Sequence, residues 1–200
     1  MNSLLKIGFV LLSYLLGSIP IGYILIKFST GKNILKLGSG NVGSTNVGRV
    51  AGKKMAIITQ LLDMAKGFIP VAIYLFFVDE KIGDSYFYVF WLALAAIIGH
   101  DFSIFLKFKG GKGVNTTLGA SVLIAPVSVF ISVAAYFIVK WQFKFVSLGS
   151  LILGIFLPIT ELIFHGLTST FYYLLVYMVL IILMHRTNII RLFNKQELSS

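Results

Sequence analysis

The chain has 200 residues, 58% of them hydrophobic and only 12% charged, with a formal net charge of +10. A soluble domain carries roughly 25% charged residues, so this composition, with a mean hydropathy of +0.93, excludes a soluble globular protein and fits an integral membrane protein. In a soluble chain the basic excess would point to nucleic acid. Here Lys and Arg lie mostly between apolar segments, where they suit anionic headgroups and the cytoplasmic membrane face.

Residues 4–28 are the first apolar segment. About 20 residues cross a bilayer, so this one spans. Lys6 ahead of an apolar run resembles a signal peptide. The run is too long for one and has no early small-residue cleavage pattern, so it reads as a retained first helix. Within it, Gly17-Ser18-Ile19-Pro20-Ile21-Gly22 combines small residues for close helix contact with a proline that kinks the helix.

Residues 29–54 read as a polar loop carrying Lys32, Lys36, Arg49, Lys53 and Lys54 and no acid. Its centre runs G-S-G-N-V-G-S-T-N-V-G-R from Gly38 to Arg49. Its match to a G-x-G-x-x-G nucleotide fingerprint is weak, because no strand precedes it and membrane segments flank it. A folded loop fits better, with Ser, Thr, Asn and backbone N–H groups holding phosphate or polyol hydroxyls and Arg49 gripping phosphate in two places. A plain solvated basic loop would need no such density of Gly and Asn.

Residues 55–78 form the second apolar segment. Asp63 and Lys66 lie three apart inside it, on one helix face. They are either an internal ion pair or, with Gly67, the edge of a site. Residues 79–84 are the one net-acidic connection and belong outside by the charge rule. Residues 86–106 return to the basic side, with an interfacial aromatic belt near their start and His100 near their end.

From Gly99 to Thr117 the chain reads G-H-D-F-S-I-F-L-K-F-K-G-G-K-G-V-N-T-T. Lys107, Lys109 and Lys112 sit among Gly110, Gly111 and Gly113. Lysine supplies positive charge, and backbone at glycine can approach an anion closely and aim N–H groups at it, so this stretch is suited to phosphate.

Residues 114–139 hold Pro126 and read as one bent crossing or as two short helices, 114–125 and 126–139. Each short helix would be about 18–21 Å long at 1.5 Å per residue. Charge favours two. If the stretch goes across and back, Lys140, Lys144 and the tail with Arg186, Arg191 and Lys195 all fall inside. With segments 145–164 and 168–184, the expectation is an all-α polytopic membrane bundle of seven helices, two of them short. The N-terminus is outside, the C-terminus inside, and residues 1–200 form one transmembrane domain. Glu161, near Pro158 and His165, is the one acid in the later segments. The last helix ends in His185-Arg186-Thr187-Asn188-Ile189-Ile190-Arg191.

Three polar loops on the inner face then supply Ser39, Asn41, Asn46, Arg49, Lys66, Lys109, Lys112, His185 and Asn188. The substrate is expected to be anionic and phosphorylated, with an apolar part facing lipid. Acyl transfer to a phosphorylated alcohol, phosphoryl transfer from a lipid and export of a phosphorylated solute all suit that layout. There is no cysteine, no G-x-S-x-G elbow, no H-x-x-x-x-D at His100 and no metal-ligand pattern. A reactive acyl donor with its own leaving group would need no covalent intermediate.

These motifs resemble the bacterial acyl-phosphate:glycerol-3-phosphate acyltransferases, small integral membrane enzymes of phospholipid synthesis. The matching elements are G-S-I-P-x-G at Gly17 to Gly22, the Gly38 to Arg49 motif, L-D-x-x-K-G at Leu62 to Gly67, the Gly99 to Val114 motif, and H-R-x-N-x-x-R at His185 to Arg191. The resemblance implies transfer of an acyl group from acyl phosphate to the 1-position of sn-glycerol 3-phosphate, with release of lysophosphatidic acid and inorganic phosphate. It implies no cofactor or metal, and a multi-pass location in the bacterial plasma membrane with a cytoplasmic site. Implied partners are the two substrates, membrane lipid and the enzyme that makes acyl phosphate, not nucleic acid. Carried over by motif, the catalytic residues are Ser39, Arg49, Lys109, His185 and Asn188. The phosphate-binding ones are Asn41, Thr45, Asn46, His100, Gly110, Gly111, Lys112 and Gly113, with Lys66 at the edge. Arg49 and Lys109 are assigned to phosphate and Ser39 to orienting a substrate.

Three positions depart from the family pattern: Ser44 and Asn115 stand where alanine is usual, and Ser103 where proline is usual. Ser103 is expected to loosen its turn by freeing φ. A transporter for an anionic solute is the alternative function. No convincing repeat relates the halves, and polar residues concentrate on one face, which counts against it.

Overall fold

The computed structural model describes residues 3–78 and 87–198. The acidic connection 79–84 and the start of the third segment at Tyr86 lie outside these residues. The helices are α1 (Ser3–Ser18), α2 (Ile21–Thr30), α3 (Ser44–Phe77), α4 (Phe87–Asp101), α5 (Val114–Ser121), α6 (Pro126–Phe143), α7 (Val146–His165), α8 (Ser169–Met184) and α9 (Arg186–Phe193). Short 3-10 turns occupy Ile34–Lys36 and Ile104–Leu106. Among the described residues there is no strand. The chain divides into two compact units, one up to Ala120 and one from Ser121.

Among the described residues, five stretches are long and apolar enough to cross a membrane: Leu4–Thr30, Ser44–Phe77, Phe87–Leu106, Pro126–Phe143 and Val146–His165. The pair α8 and α9, bent by 60°, is long and apolar enough only if the two helices are taken together. Polarity is distributed as lipid requires. Leu5, Leu12, Phe76, Phe130, Trp141 and Ile163 are exposed, while Asp63, Lys66, His100, Glu161 and many Ser and Thr are buried. Some buried hydroxyls inside helices bond the carbonyl one turn back, as Thr59 does to Met55 at 2.8 Å and Ser132 to Ser128 at 2.6 Å.

Three boundaries differ from the sequence reading. The first segment is two helices, because Pro20 sits at the junction with φ −88° and ψ 76°, outside helical geometry. The second helix begins at Ser44, eleven residues before the expected start at 55, and is broken at Gly52, whose φ of 84° only glycine adopts readily. The 34-residue span thus contains a short helical piece that the Gly-rich composition disguised as loop. Residues 114–139 do divide, but unequally. The eight residues of α5 reach about 12 Å, and the eighteen of α6 about 27 Å. Only α6 qualifies as a span by itself.

In the first unit α1 crosses α4 where both backbones are bare. A Cβ on Gly17 would lie 2.1 Å from the Ala96 carbonyl oxygen, and one on Gly99 2.2 Å from that of Tyr14. Small residues at such crossings let helices approach closely where lipid supplies no hydrophobic drive. A second bare crossing joins α3 to α5, with Gly67 on Thr116 and Gly119 on Met64. Under the first polar loop, Ile26, Ile34, Val42 and Val47 form a small core of their own. That core makes the loop a folded object.

In the second unit α7 packs on α6 and α8 around Leu153, Leu157, Leu174, Tyr177 and Ile181. Glu161 is buried there but paired. It accepts from Ser128 Oγ at 2.7 Å, and its other oxygen lies 3.3 Å from His165 Nδ1.

Candidate functional site

The first loop is organised by two asparagines. Asn46, 1% exposed, accepts from the Ser39 N–H at 2.8 Å and donates to the carbonyls of Leu37 (3.0 Å) and Asn41 (2.8 Å). Both its amide hydrogens are spent on backbone, so it builds the loop from beneath. Asn41 Oδ1 accepts from the Gly43 N–H at 2.8 Å, closing an Asx turn just before α3. That turn explains how α3 starts without a side-chain cap on Gly43. Ser39 is half-buried on this loop, Thr45 is half-buried in the first turn of α3, and Arg49 is exposed on the short helical piece before Gly52.

The glycine-rich loop lies against the end of α4. The Gly111 N–H donates to the His100 carbonyl at 2.9 Å. A Cβ on Gly111 would fall 1.8 Å from His100 Nε2, and one on Gly110 2.1 Å from the His100 oxygen. Gly113, at φ 71°, turns the chain into α5 directly over the Asp101 carboxylate. Lys107 and Phe108 precede the loop in left-handed conformations (φ 54° and 60°), unusual for residues with a side chain. Lys109 is exposed and Lys112 half-buried. Ser103 does not loosen the turn as expected. Its φ of −66° is a proline value, and its hydroxyl donates to the Ser18 carbonyl at the end of α1.

Each loop therefore ends in a helix N-terminus, where unpaired N–H groups and the helix dipole favour an anion. The two are tied together. Asn41 Nδ2 donates to the Gly110 carbonyl at 3.3 Å, and Asn115 Nδ2 to Ser44 Oγ at 3.1 Å, joining the first turns of α3 and α5. Two of the three departures from the family pattern are thus partners of each other. Nothing in their local sequence marks this, because they lie 71 residues apart.

Behind the glycine loop is a buried ionic cluster. Lys66 Nζ lies 3.0 Å from Asp63 Oδ1 and donates to the Ile19 carbonyl at 3.0 Å. His100 Nδ1 approaches the same Asp63 oxygen at 3.5 Å, an electrostatic contact too long for a hydrogen bond. Lys66 thus caps a carbonyl at the break between α1 and α2. His100 is 6% exposed and faces the underside of the loop. Asp101, 1% exposed, has no hydrogen-bond partner among the described residues. The sequence puts Asp63 and Lys66 on one helix face, but the Asp63–His100 contact joins two helices and has no local signal.

The C-terminal motif belongs to the second unit. His185, at the junction of α8 and α9, donates from Nδ1 to the Ile181 carbonyl at 2.8 Å, which sets its tautomer. Asn188 donates to Glu197 Oε1 at 2.6 Å, and Arg191 Nε lies 3.6 Å from Glu197 Oε2. The tail therefore folds back on the motif.

Comparison with known proteins gives a consistent result. The chain is 41% identical over 191 residues to the glycerol-3-phosphate acyltransferase of Clostridium acetobutylicum, covering 94% of this chain and 96% of that one. It is 41% identical over 194 residues to that of Endomicrobium trichonymphae, covering 97% and 95%. Its fold matches the crystal structure of PlsY, an integral membrane glycerol 3-phosphate acyltransferase, in the glycerol 3-phosphate form. There the TM-score is 0.89 and the identity 33%, covering 98% of this chain and 95% of that one. The lysophosphatidic acid form of PlsY matches with a TM-score of 0.86, covering 97% and 94%. With residues 7–195 matching the family described as glycerol-3-phosphate acyltransferase, this integral membrane protein belongs to the glycerol-3-phosphate acyltransferase family.

Proposed function

We propose that this protein acylates the 1-hydroxyl of sn-glycerol 3-phosphate with acyl phosphate as donor, giving lysophosphatidic acid and inorganic phosphate. The observation that carries this is the pair of helix N-termini, α3 and α5, linked through Ser44 and Asn115 and flanked by basic residues. Such a pair suits two phosphate groups, one on each substrate.

In the proposed reaction the 1-hydroxyl oxygen attacks the acyl carbonyl carbon, and the carbonyl–phosphate C–O bond breaks. The hydroxyl proton passes to a phosphate oxygen, so phosphate leaves as inorganic phosphate and no acyl-enzyme forms. Arg49, Lys109 and Lys112 with the N–H groups of Gly110 and Gly113 hold phosphate oxygens, where oriented donors stabilise the charge that builds up, while the Gly111 N–H is spent on the His100 carbonyl and seats the loop. Ser39 and Asn41 orient substrate from the first loop, and Thr45 from the first turn of α3. Asn46 acts by holding that loop. His185 and Asn188 are assigned a part in acyl transfer on the strength of their motif. The clustered Lys and Arg support a site on the cytoplasmic side of the plasma membrane, where the enzyme that makes acyl phosphate would supply the donor.

The test is purified protein in detergent with palmitoyl phosphate and glycerol 3-phosphate, without CoA, carrier protein or metal. Phosphate and lysophosphatidic acid are expected in equal amounts, and Arg49→Ala and Lys109→Ala are each expected to abolish both. Turnover only with acyl-CoA or acyl carrier protein would overturn the donor assignment. A double-mutant cycle tests the bridge between the helix starts. Ser44→Ala, Asn115→Ala and the double variant are each expected to lower kcat/KM by the same factor, about 3- to 10-fold, as loss of one hydrogen bond implies. Additive losses would mean that the two side chains act separately.

A further inference from the structure

We infer that Asp63 is a positioning residue for the glycine-rich loop, acting through His100, and that with Lys66 it ties this loop to the break in the first span. The inference rests on the reading that the loop binds glycerol 3-phosphate.

Asp63 is a poor residue to place on a membrane helix without a task. A carboxylate 2% exposed is costly to desolvate, and its attraction to a nearby lysine rarely does more than offset that cost. One oxygen of Asp63 serves two cations or dipoles from different elements. These are Lys66 Nζ at 3.0 Å from its own helix and His100 Nδ1 at 3.5 Å from α4. Each has a second contact. The lysine holds the Ile19 carbonyl, which the helix break leaves outside the regular ladder. The far side of the imidazole, Nε2, meets Gly111 so closely that a Cβ there would lie 1.8 Å away.

The contacts run without interruption from the break, through Lys66 and Asp63, to the imidazole and the loop. On the other side of the break, Gly22 abuts the Val42 carbonyl of the first loop. Both anion-binding loops therefore take their height from one buried cluster. His100 is buried, with its Nε2 edge against Gly111. Its contacts are those of a support, and Asp63 fixes the orientation in which it serves.

The experiment compares the wild type with Asp63→Asn and with the double variant Asp63→Leu/Lys66→Met. The double variant removes both charges of the pair together, so that neither Asp63 nor Lys66 is left buried without the other, and the thermal midpoint reports whether the fold is kept. Three quantities are read: the KM and kcat for glycerol 3-phosphate, the thermal midpoint, and deuterium exchange of the peptide containing the Gly111 N–H. In the double variant the midpoint is expected at or above wild type. KM is expected to rise about tenfold with kcat within about twofold, the size of a lost oriented donor. Exchange at Gly111 is expected to speed up, while the α1 and α4 core stays protected. Lys66→Arg, which keeps a cation beside Asp63, is expected to retain the wild-type KM.

Unchanged KM and unchanged Gly111 exchange in a stable double variant would overturn the inference. So would a loss confined to the midpoint, since that is what a purely structural pair would produce. If the wild type itself shows no turnover of glycerol 3-phosphate, the functional reading fails instead. The exchange measurement still decides whether Asp63 sets the loop.

Discussion

Replacing Gly110 by alanine is expected to lower kcat/KM for glycerol 3-phosphate by about 100-fold, the penalty of roughly 1 Å of misplacement in a positioned site. The added methyl would lie 2.1 Å from the His100 carbonyl oxygen and 2.5 Å from that of Asp101. Both are backbone atoms at the end of α4, so they cannot rotate away as a flexible side chain would. The loop has to lift, and the 2.9 Å bond from the Gly111 N–H to His100 is lost with it. Overpacking of this kind costs about 1–3 kcal/mol, so the thermal midpoint should drop only modestly while KM rises steeply. Gly31→Ala is the matched control. Gly31 also has positive φ, at 70°, but nothing lies within 4 Å of its Cβ position. Steady-state kinetics on both variants decide the matter. If Gly110→Ala is as active as Gly31→Ala, the loop does not need its close seat on α4.

Asn46→Ala is expected to reduce turnover by a similar factor, about 100-fold, for a different reason. It leaves the Ser39 N–H and the Asn41 carbonyl without this partner, and the Leu37 carbonyl with only the Gly40 N–H. A backbone group left unmade in a buried setting costs roughly 1–3 kcal/mol. The first loop should therefore loosen around Ser39 and Asn41, and limited proteolysis between Gly38 and Gly43 should reveal it. Asn46→Asp sharpens the test. It keeps the acceptor for Ser39 but turns both donors into acceptors facing carbonyl oxygens, so it should be no better than alanine. Near-normal activity in Asn46→Asp would mean that the amide hydrogens are not what holds the loop.

The Ser103 turn shows how a departure from a family pattern is absorbed. A proline would fix φ near −65°, and serine is held at −66° in any case. Its hydroxyl adds a bond to the carbonyl of Ser18, beside the same break that Lys66 caps. Ser44 and Asn115 make a comparable gain by bonding each other. In each case the polar replacement has a partner that only folding supplies.

The membrane character and the basic, glycine-rich loops were legible in the sequence alone. Bilayer thickness translates directly into a run of apolar residues, and an anion site needs charge and bare backbone close together in the chain. The local motifs, and the family they resemble, were legible for the same reason. The start of α3 at Ser44 was not. Gly48 and Gly52 look like loop, and the helix begins from an Asx turn at Asn41, with no capping side chain. The split of the first segment at Pro20 was only half legible, as a kink. What tertiary structure alone decided is which residues face which. Asp63 meets His100 because α3 and α4 pack together, and Lys66 meets Ile19 because a break in another helix leaves a carbonyl there. Asn46 and His100 stand in motifs suited to substrate contact, and folding buries both against the backbone of their own loops. Residue type and spacing record what a side chain is able to bond. The packing of helices decides whether its partner is a ligand or the protein itself.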